Sequence, residues 1–469
     1  MSRYCCFALS LITLVFTLGC PQPKPPVVEE KRPSGPFKLL VLDDPQLADA
    51  IEREWQAREE RPLELTKSTA AELLKGEKVD ADAVIYPPQL LGELIAREWI
   101  EPLPESLQDN EALDLNDIFP AVRRMELDWG GKTYGVPFGS QTLVLMYRPE
   151  VFEKLELEVP TTWVEYQSAV DRIASSEFCT GDAPKFVSAT LEPLAAQWRS
   201  KLFLARSAAY AKNPSNYAVL FGLSSADALI GQQSFVKGAE ELKAVAETIP
   251  ADLQALSPAE VGRQFLAGKS AMAIGWLSLK SQENEAKLEF TPDFAPLPGS
   301  AKYWNELTET WEERRGGRPA EVPFLTISGR IGSVSRSSRS ARDAALGLIL
   351  LSASDSAVQV SPASEATTVY RNTNVGGITQ WIDPRLTSEG ASTYGEAVAL
   401  TLSSSEAINL NLPGVEQYLA ALDVAVGKIL ESDATPQETL QKTAQEWNDI
   451  TDKIGRPAQI KANSASLGR

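Results

Sequence analysis

From Lys38 onward the chain alternates short apolar runs with stretches whose apolar residues recur at helical spacing, and that alternation restricts it to a covered α/β architecture. Lys38 to Leu42 (KLLVL) reads as a buried strand, after which Leu47, Ile51 and Trp55 lie on one face of a helix. The pattern repeats through Leu63 to Leu65, a helix around Ala70 to Leu74, the strand Ala81 to Tyr86 (ADAVIY) and a helix carrying Leu90, Leu91, Leu94 and Ile95. Strands separated by helical crossovers pair in parallel, so a mostly parallel sheet with helices on its faces is expected.

Further helices are marked by capping boxes, in which a hydroxyl caps the first free amides and an acid three residues on reaches back. Thr162 with Glu165, Ser257 with Glu260, Ser340 with Asp343 and Thr435 with Glu438 fit, the last with Pro436 at the favoured first helical position. Strands return at Thr142 to Tyr147, Ala271 to Gly275 and Phe324 to Val334. Gly299 to Arg318 reads as an irregular insertion, and Ala458 to Arg469 as a loose tail. Roughly 430 residues follow position 36, more than one hydrophobic core usually supports, so two lobes are expected.

The first residues bear on where those lobes work. Arg3 precedes a charge-free run from Tyr4 to Pro23 with its apolar heart at Phe7 to Leu18, the design of an export signal. It stops at Gly19-Cys20-Pro21, short of the ~20 apolar residues of a spanning helix. Gly19-Cys20 resembles the lipobox of bacterial lipoproteins, which implies acylation of Cys20 after cleavage, although Thr17 and Leu18 invert the usual large-then-small order. Residues 1–19 are therefore expected to be a signal peptide, and 20–36 an anchor cysteine with a stiff proline-rich tether. Cys5, Cys6 and Cys20 all lie in this leader, so the mature domain keeps Cys179 alone, can form no internal disulfide, and is expected to bury that thiol as a structural residue.

Without residues 1–19, 44 Lys and Arg face 63 Asp and Glu, a balance of −19 that argues against nucleic acid as a partner. The chain has no histidine, which removes His-based triads, His general bases and nearly all ordinary zinc sites. Gly268-Lys269-Ser270 has the closing residue types of a phosphate-binding loop, but the required upstream glycine position holds Arg263, and a helix precedes the triplet where a strand is needed. Ser140 lacks any histidine to take its proton, so nucleophilic hydrolysis is poorly supported. A pair of carboxylates running glycan hydrolysis is the enzymatic alternative, because acids are abundant and sequence spacing does not fix their separation.

Several segments, taken in order, resemble the extracellular solute-binding proteins of bacterial ABC importers, in the group that includes the maltose-binding type. Tyr134 to Phe138 (YGVPF), Thr142 to Arg148 and Pro160-Thr161-Thr162-Trp163 resemble one family passage, with Arg148 and Pro149 in place of a frequent asparagine and lysine. Phe265 to Trp276 (FLAGKSAMAIGW) resembles a second, and Pro296 to Gly299, Ile327 to Val334, Leu412-Pro413-Gly414 and the helix from Thr435 to Trp447 follow in the family's order. The resemblance implies a periplasmic-binding-protein-like fold with two α/β lobes, a central ligand cleft and crossing hinge strands. It also implies no catalysis and no cofactor, and a role in which a small polar solute, a sugar foremost, is captured outside the cytoplasm and delivered to an importer's membrane subunits. A sensor that reports its ligand to a signalling partner is the alternative within the binding class. Crossings are placed near Gln141 to Tyr147, Gly329 to Gly332 and Ala366 to Asn372. These give an N-lobe of residues 37–144 and 331–367, a C-lobe of 145–330 and 368–457, and a tail of 458–469, in a monomer held to the membrane by lipid at Cys20.

In an α/β lobe, ligands meet the loops after the carboxyl ends of strands, which points to Asp43, Asp44 and Tyr86, with helix initiation or turn packing as their alternatives. By the resemblance, Gln141 stands at a polar ligand contact just before the first crossing, and Phe138 and Trp198 are similarly placed aromatics. Trp276, after Gly275 at the end of its strand, is where the family commonly offers a tryptophan to a sugar. Tyr418, soon after Gly414, is the last candidate, although it opens a helix whose apolar face could equally claim it. A flat ring suits the C–H face of a sugar while neighbouring polar groups satisfy its hydroxyls.

Overall fold

The computed structural model of the chain describes residues 35–279 and 287–469; the expected signal peptide, Cys20 and nearly all of the tether lie outside the described residues. Two mixed sheets organise it. In the first, strand Phe37–Leu42 pairs in parallel with Leu63–Ser68 on one side and Ala83–Tyr86 on the other. Arg330–Ser335 then runs antiparallel to Ala83–Tyr86, and its far edge pairs antiparallel with Ile100–Glu101 and Gly135–Gly139. In the second, Val144–Tyr147 lies antiparallel between Asp293–Ala295 and Ser270–Gly275, and Ser188–Leu191 adds in parallel to the outer side of Ser270–Gly275.

The expected mostly parallel sheet is therefore corrected to two mixed ones. Arg330–Ser335 reaches the first sheet after the chain has built the second, with no helical crossover to force a parallel direction. The predicted strand Phe324 to Val334 also shortens to Arg330–Ser335. Ahead of it Thr326 (φ 64°) and Gly329 (φ 123°) leave the extended region, so no ladder can form there.

Helix Pro45–Arg58 buries Leu47, Ile51 and Trp55 as its spacing dictates, and Trp55 stacks on Phe37 with ring centroids 4.9 Å apart. Complete capping boxes open the helices Trp163–Ala174 and Pro258–Leu266. Ser340 caps Ala341–Ser352 one way only, and Thr435 makes no side-chain cap.

Two other segments are more ordered than expected. The supposed irregular insertion contains the antiparallel hairpin Lys302–Asn305 and Thr310–Glu313, with Trp304 opposite Trp311. The supposed loose tail lies in the helix Arg456–Ser466, which buries Gln459, Asn463 and Ser466. Gln459 Nε2 donates to Pro413 O at 2.7 Å and to the Tyr418 hydroxyl at 3.1 Å. Cys179 is half-buried rather than buried, and desolvation raises its thiol pKa. No single helix among the described residues is long and apolar enough to cross a membrane.

Candidate functional site at the seam between the sheets

The chain leaves the first sheet after Gly139, enters the second at Val144 and rejoins the first at Arg330. These two passages touch each other and a third segment around Ala366. Gln141 Nε2 donates to the carbonyls of Glu365 (3.3 Å) and Thr367 (3.1 Å), and Ser328 Oγ donates to that of Ala366 (3.3 Å). Only glycine permits this closeness at Gly139 (φ 134°), where a Cβ would lie 2.4 Å from Thr367 Cβ. In the segment expected as a third crossing, Tyr370 O accepts from Phe119 N, and Arg371 donates to Leu113 O and Ser352 O.

Glu126 locks the first two passages together. Its carboxyl, wholly buried, accepts from Ser140 Oγ on one passage and from the Thr326 amide, at 3.3 Å, on the other. Desolvation pushes its pKa up to about 8, the two hydrogen bonds opposing that shift. A neutral carboxylic acid therefore predominates at the seam below that pH.

Several expected site residues are buried and have partners within the fold. Tyr86 is fully buried in its strand and hydrogen-bonds Ser333 Oγ at 2.7 Å, and burial raises its phenol pKa. Phe138 is buried against Gly332, whose missing side chain makes room for the ring. Tyr418 is buried too: its ring packs on Phe221 and Trp447, and its hydroxyl meets Thr451 and Gln459. Asp44 caps helix Pro45–Arg58 through Leu47 N, accepts from Ser364 Oγ, and pairs with Arg330 Nε at 3.3 Å.

The other candidates gather around the seam. Asp43, exposed and left-handed (φ 54°), gives its carbonyl to Arg330 Nη2 at 2.7 Å, and Gly329 beside it meets Gly139 and Ser140 next to Gln141. On the second sheet's side, the rings of Trp198 and Trp276 meet edge to face with centroids 5.3 Å apart. Trp276 is 2% exposed, whereas Trp198 is only partly buried and offers the more accessible ring. Two buried polar atoms here have no hydrogen-bond partner among the described residues: the acceptor Gln141 Oε1 and the donor Trp276 Nε1. Such atoms each cost ~1–3 kcal/mol when left unpaired.

Two cations at the seam escaped the sequence reading. Arg330 is 7% exposed and gives Nη1 to Gly329 O. Lys201, on helix Arg199–Ala211, sends Nζ 2.6 Å to Ile327 O and lies 4.7 Å from the centre of the Trp198 ring. A signal was present for both: Arg330 is a lone charge inside an apolar, glycine-bearing run, and Lys201 follows Trp198 by three residues, on the same helical face.

The family model described as bacterial extracellular solute-binding protein matches residues 70–305, half of the chain. The chain belongs to this family. Membership makes it a solute-binding protein acting outside the cytoplasm, and its fold is the two-lobed one with a cleft between lobes. It is similar to the ribitol-complexed ABC transporter solute-binding protein of Agrobacterium radiobacter K84, at 18% identity over 89% of this chain and 99% of that one, with a TM-score of 0.66. The sugar-binding protein MalE of Xanthomonas citri is 15% identical over 89% of this chain and 98% of its own (TM-score 0.64). Maltose-bound MalE3 of T. maritima is 16% identical over 89% and 100% (TM-score 0.61).

Proposed function

We propose that this solute-binding protein captures a sugar or polyol at the seam between its lobes and delivers it to the membrane subunits of an ABC importer. One observation carries the reading: the Trp198 and Trp276 rings stand beside the crossing passages, where Gln141 Oε1 and Trp276 Nε1 lack partners among the described residues. Opening the seam exposes an apolar ring wall next to unsatisfied polar atoms, the combination a polyhydroxylated ring requires. Proteins of the same fold are described in complex with ribitol, D-mannitol, maltose and alpha-D-tagatose, which supports this ligand class.

Capture would act as a population shift, because ligand held by both lobes favours the closed arrangement that a transporter can distinguish from the open one. In this reading residues 1–19 direct export, Cys20 is acylated, and the proline-rich segment to Pro36 holds a monomeric receptor beside its membrane partner. A thermal-shift screen of sugars, polyols, amino acids and polyamines tests the proposal. A saccharide or polyol should raise the melting temperature, and Trp276→Ala should weaken its binding by ~1–3 kcal/mol. Stabilisation by amino acids or polyamines alone would refute the carbohydrate reading, and undiminished affinity in Trp276→Ala would return that ring to the core.

A further inference from the structure

The two cations of the seam differ in how their charge is answered. Arg330 is neutralised from within: Asp44 pairs with Nε, and the carbonyls of Gly329 and Asp43 take Nη1 and Nη2. Lys201 is not. Its ammonium has three donors, of which the carbonyl of Ile327 occupies one, and no carboxylate among the described residues forms an ion pair with it.

Asp423, on helix Val415–Glu431, is the acid whose charge reaches Lys201, but its oxygens are already committed. Oδ1 accepts from the amides of Gln197 and Ser200, and Oδ2 pairs with Arg199 at 3.2 Å. The strain shows in the titration of the amine. Burial first, and then repulsion from Arg330, bring the Lys201 pKa down to about 8, with Asp423 opposing.

An ammonium partly withdrawn from water, beside a second cation and without its own counter-charge, is stabilised by any anion that can reach it. Its surroundings define the rest of such a ligand. Lys201 Nζ lies over part of the Trp198 ring, which Trp276 meets edge to face, so the rest of this aromatic pair adjoins the ammonium. A sugar ring against that pair would place one substituent at the ammonium.

We propose that the preferred ligand is an acidic saccharide, a uronic or aldonic acid or a short oligosaccharide carrying one, whose carboxylate is held by Lys201 while its ring packs on Trp198. This rests on the carbohydrate reading above and narrows it.

The experiment is calorimetric titration of the full chain with matched probes: galacturonate against galactose, glucuronate against glucose, and gluconate against sorbitol. One acidic member should bind at least about ten-fold more tightly than its neutral partner, the scale of one charge-assisted hydrogen bond. Lys201→Gln should bring that ratio close to one, and Lys201→Arg, which keeps the charge, should retain most of it. Neutral probes that bind as tightly as the acids, or an acid preference that survives Lys201→Gln, would overturn the carboxylate assignment while leaving the carbohydrate reading intact. If neither these probes nor other saccharides and polyols bind, the carbohydrate reading falls and this inference falls with it.

Discussion

Replacing Glu126 by glutamine tests whether an uncharged acid holds the two crossing passages together. Ser140 Oγ and the Thr326 amide both donate to the Glu126 carboxyl; with glutamine in its place the carbonyl still accepts the Thr326 amide, and the Ser140 hydroxyl turns to accept from the side-chain NH₂. The folded pKa of about 8 lies above the ordinary carboxyl value of 4.5, so the folded state holds a proton that the unfolded chain releases. The associated stability is fully present below about 4.5, declines as pH rises through that window, and is gone above about 8. At ~1.4 kcal/mol per pH unit the difference has an upper limit of ~5 kcal/mol, and water reaching the ionised group at the seam reduces it to ~2–4 kcal/mol. Urea and thermal unfolding of wild type and Glu126→Gln at pH 5, 7 and 9 measure it. The two proteins should be close in stability at pH 5, with the variant ahead by the larger part of that figure at pH 9. Parallel profiles would refute the assignment, because they would mean that Glu126 ionises in the folded protein as it does in water.

Two further substitutions separate packing from binding. Tyr418→Phe removes the hydroxyl that meets Thr451 and Gln459, and should lower unfolding stability by ~1–2 kcal/mol while ligand affinity stays unchanged, as calorimetry would show. Gly332→Ala places a Cβ 2.7 Å from the Phe138 ring and 2.9 Å from Leu348 Cδ2, so it should cost ~1–3 kcal/mol in denaturant unfolding.

What the sequence could convey depended on whether apolar spacing carried the information. Leu47, Ile51 and Trp55 announced their helix because water rejects all three from one face, and Thr162 with Glu165 announced the start of another through local hydrogen bonds. The helix Arg456–Ser466 gave no such signal, since the side chains it buries are Gln459, Asn463 and Ser466, whose hydrogen bonds replace apolar contact. At the seam, residue type alone was a poor guide. Tyr86, Phe138 and Tyr418 are as aromatic as Trp198, and only the packing of distant segments decides which ring keeps some exposure. Lys201 and Arg330 were hidden for the same reason: partners such as Asp44 and Ile327 lie more than a hundred residues away.

The terminal helix Arg456–Ser466 also shapes how this molecule can move. Ala465 O accepts from Gly130 N, in the turn of the hairpin formed by Asp128–Trp129 and Lys132–Thr133, which leads into the first sheet. Two residues earlier, Asn463 donates to Gly222 O, on the stretch of chain between Gly139 and Arg330 that also holds the second sheet. One short helix is therefore hydrogen-bonded to two segments far apart in sequence. Opening on that flank would have to break one of these two hydrogen bonds, so the expected motion is one that opens the opposite edge.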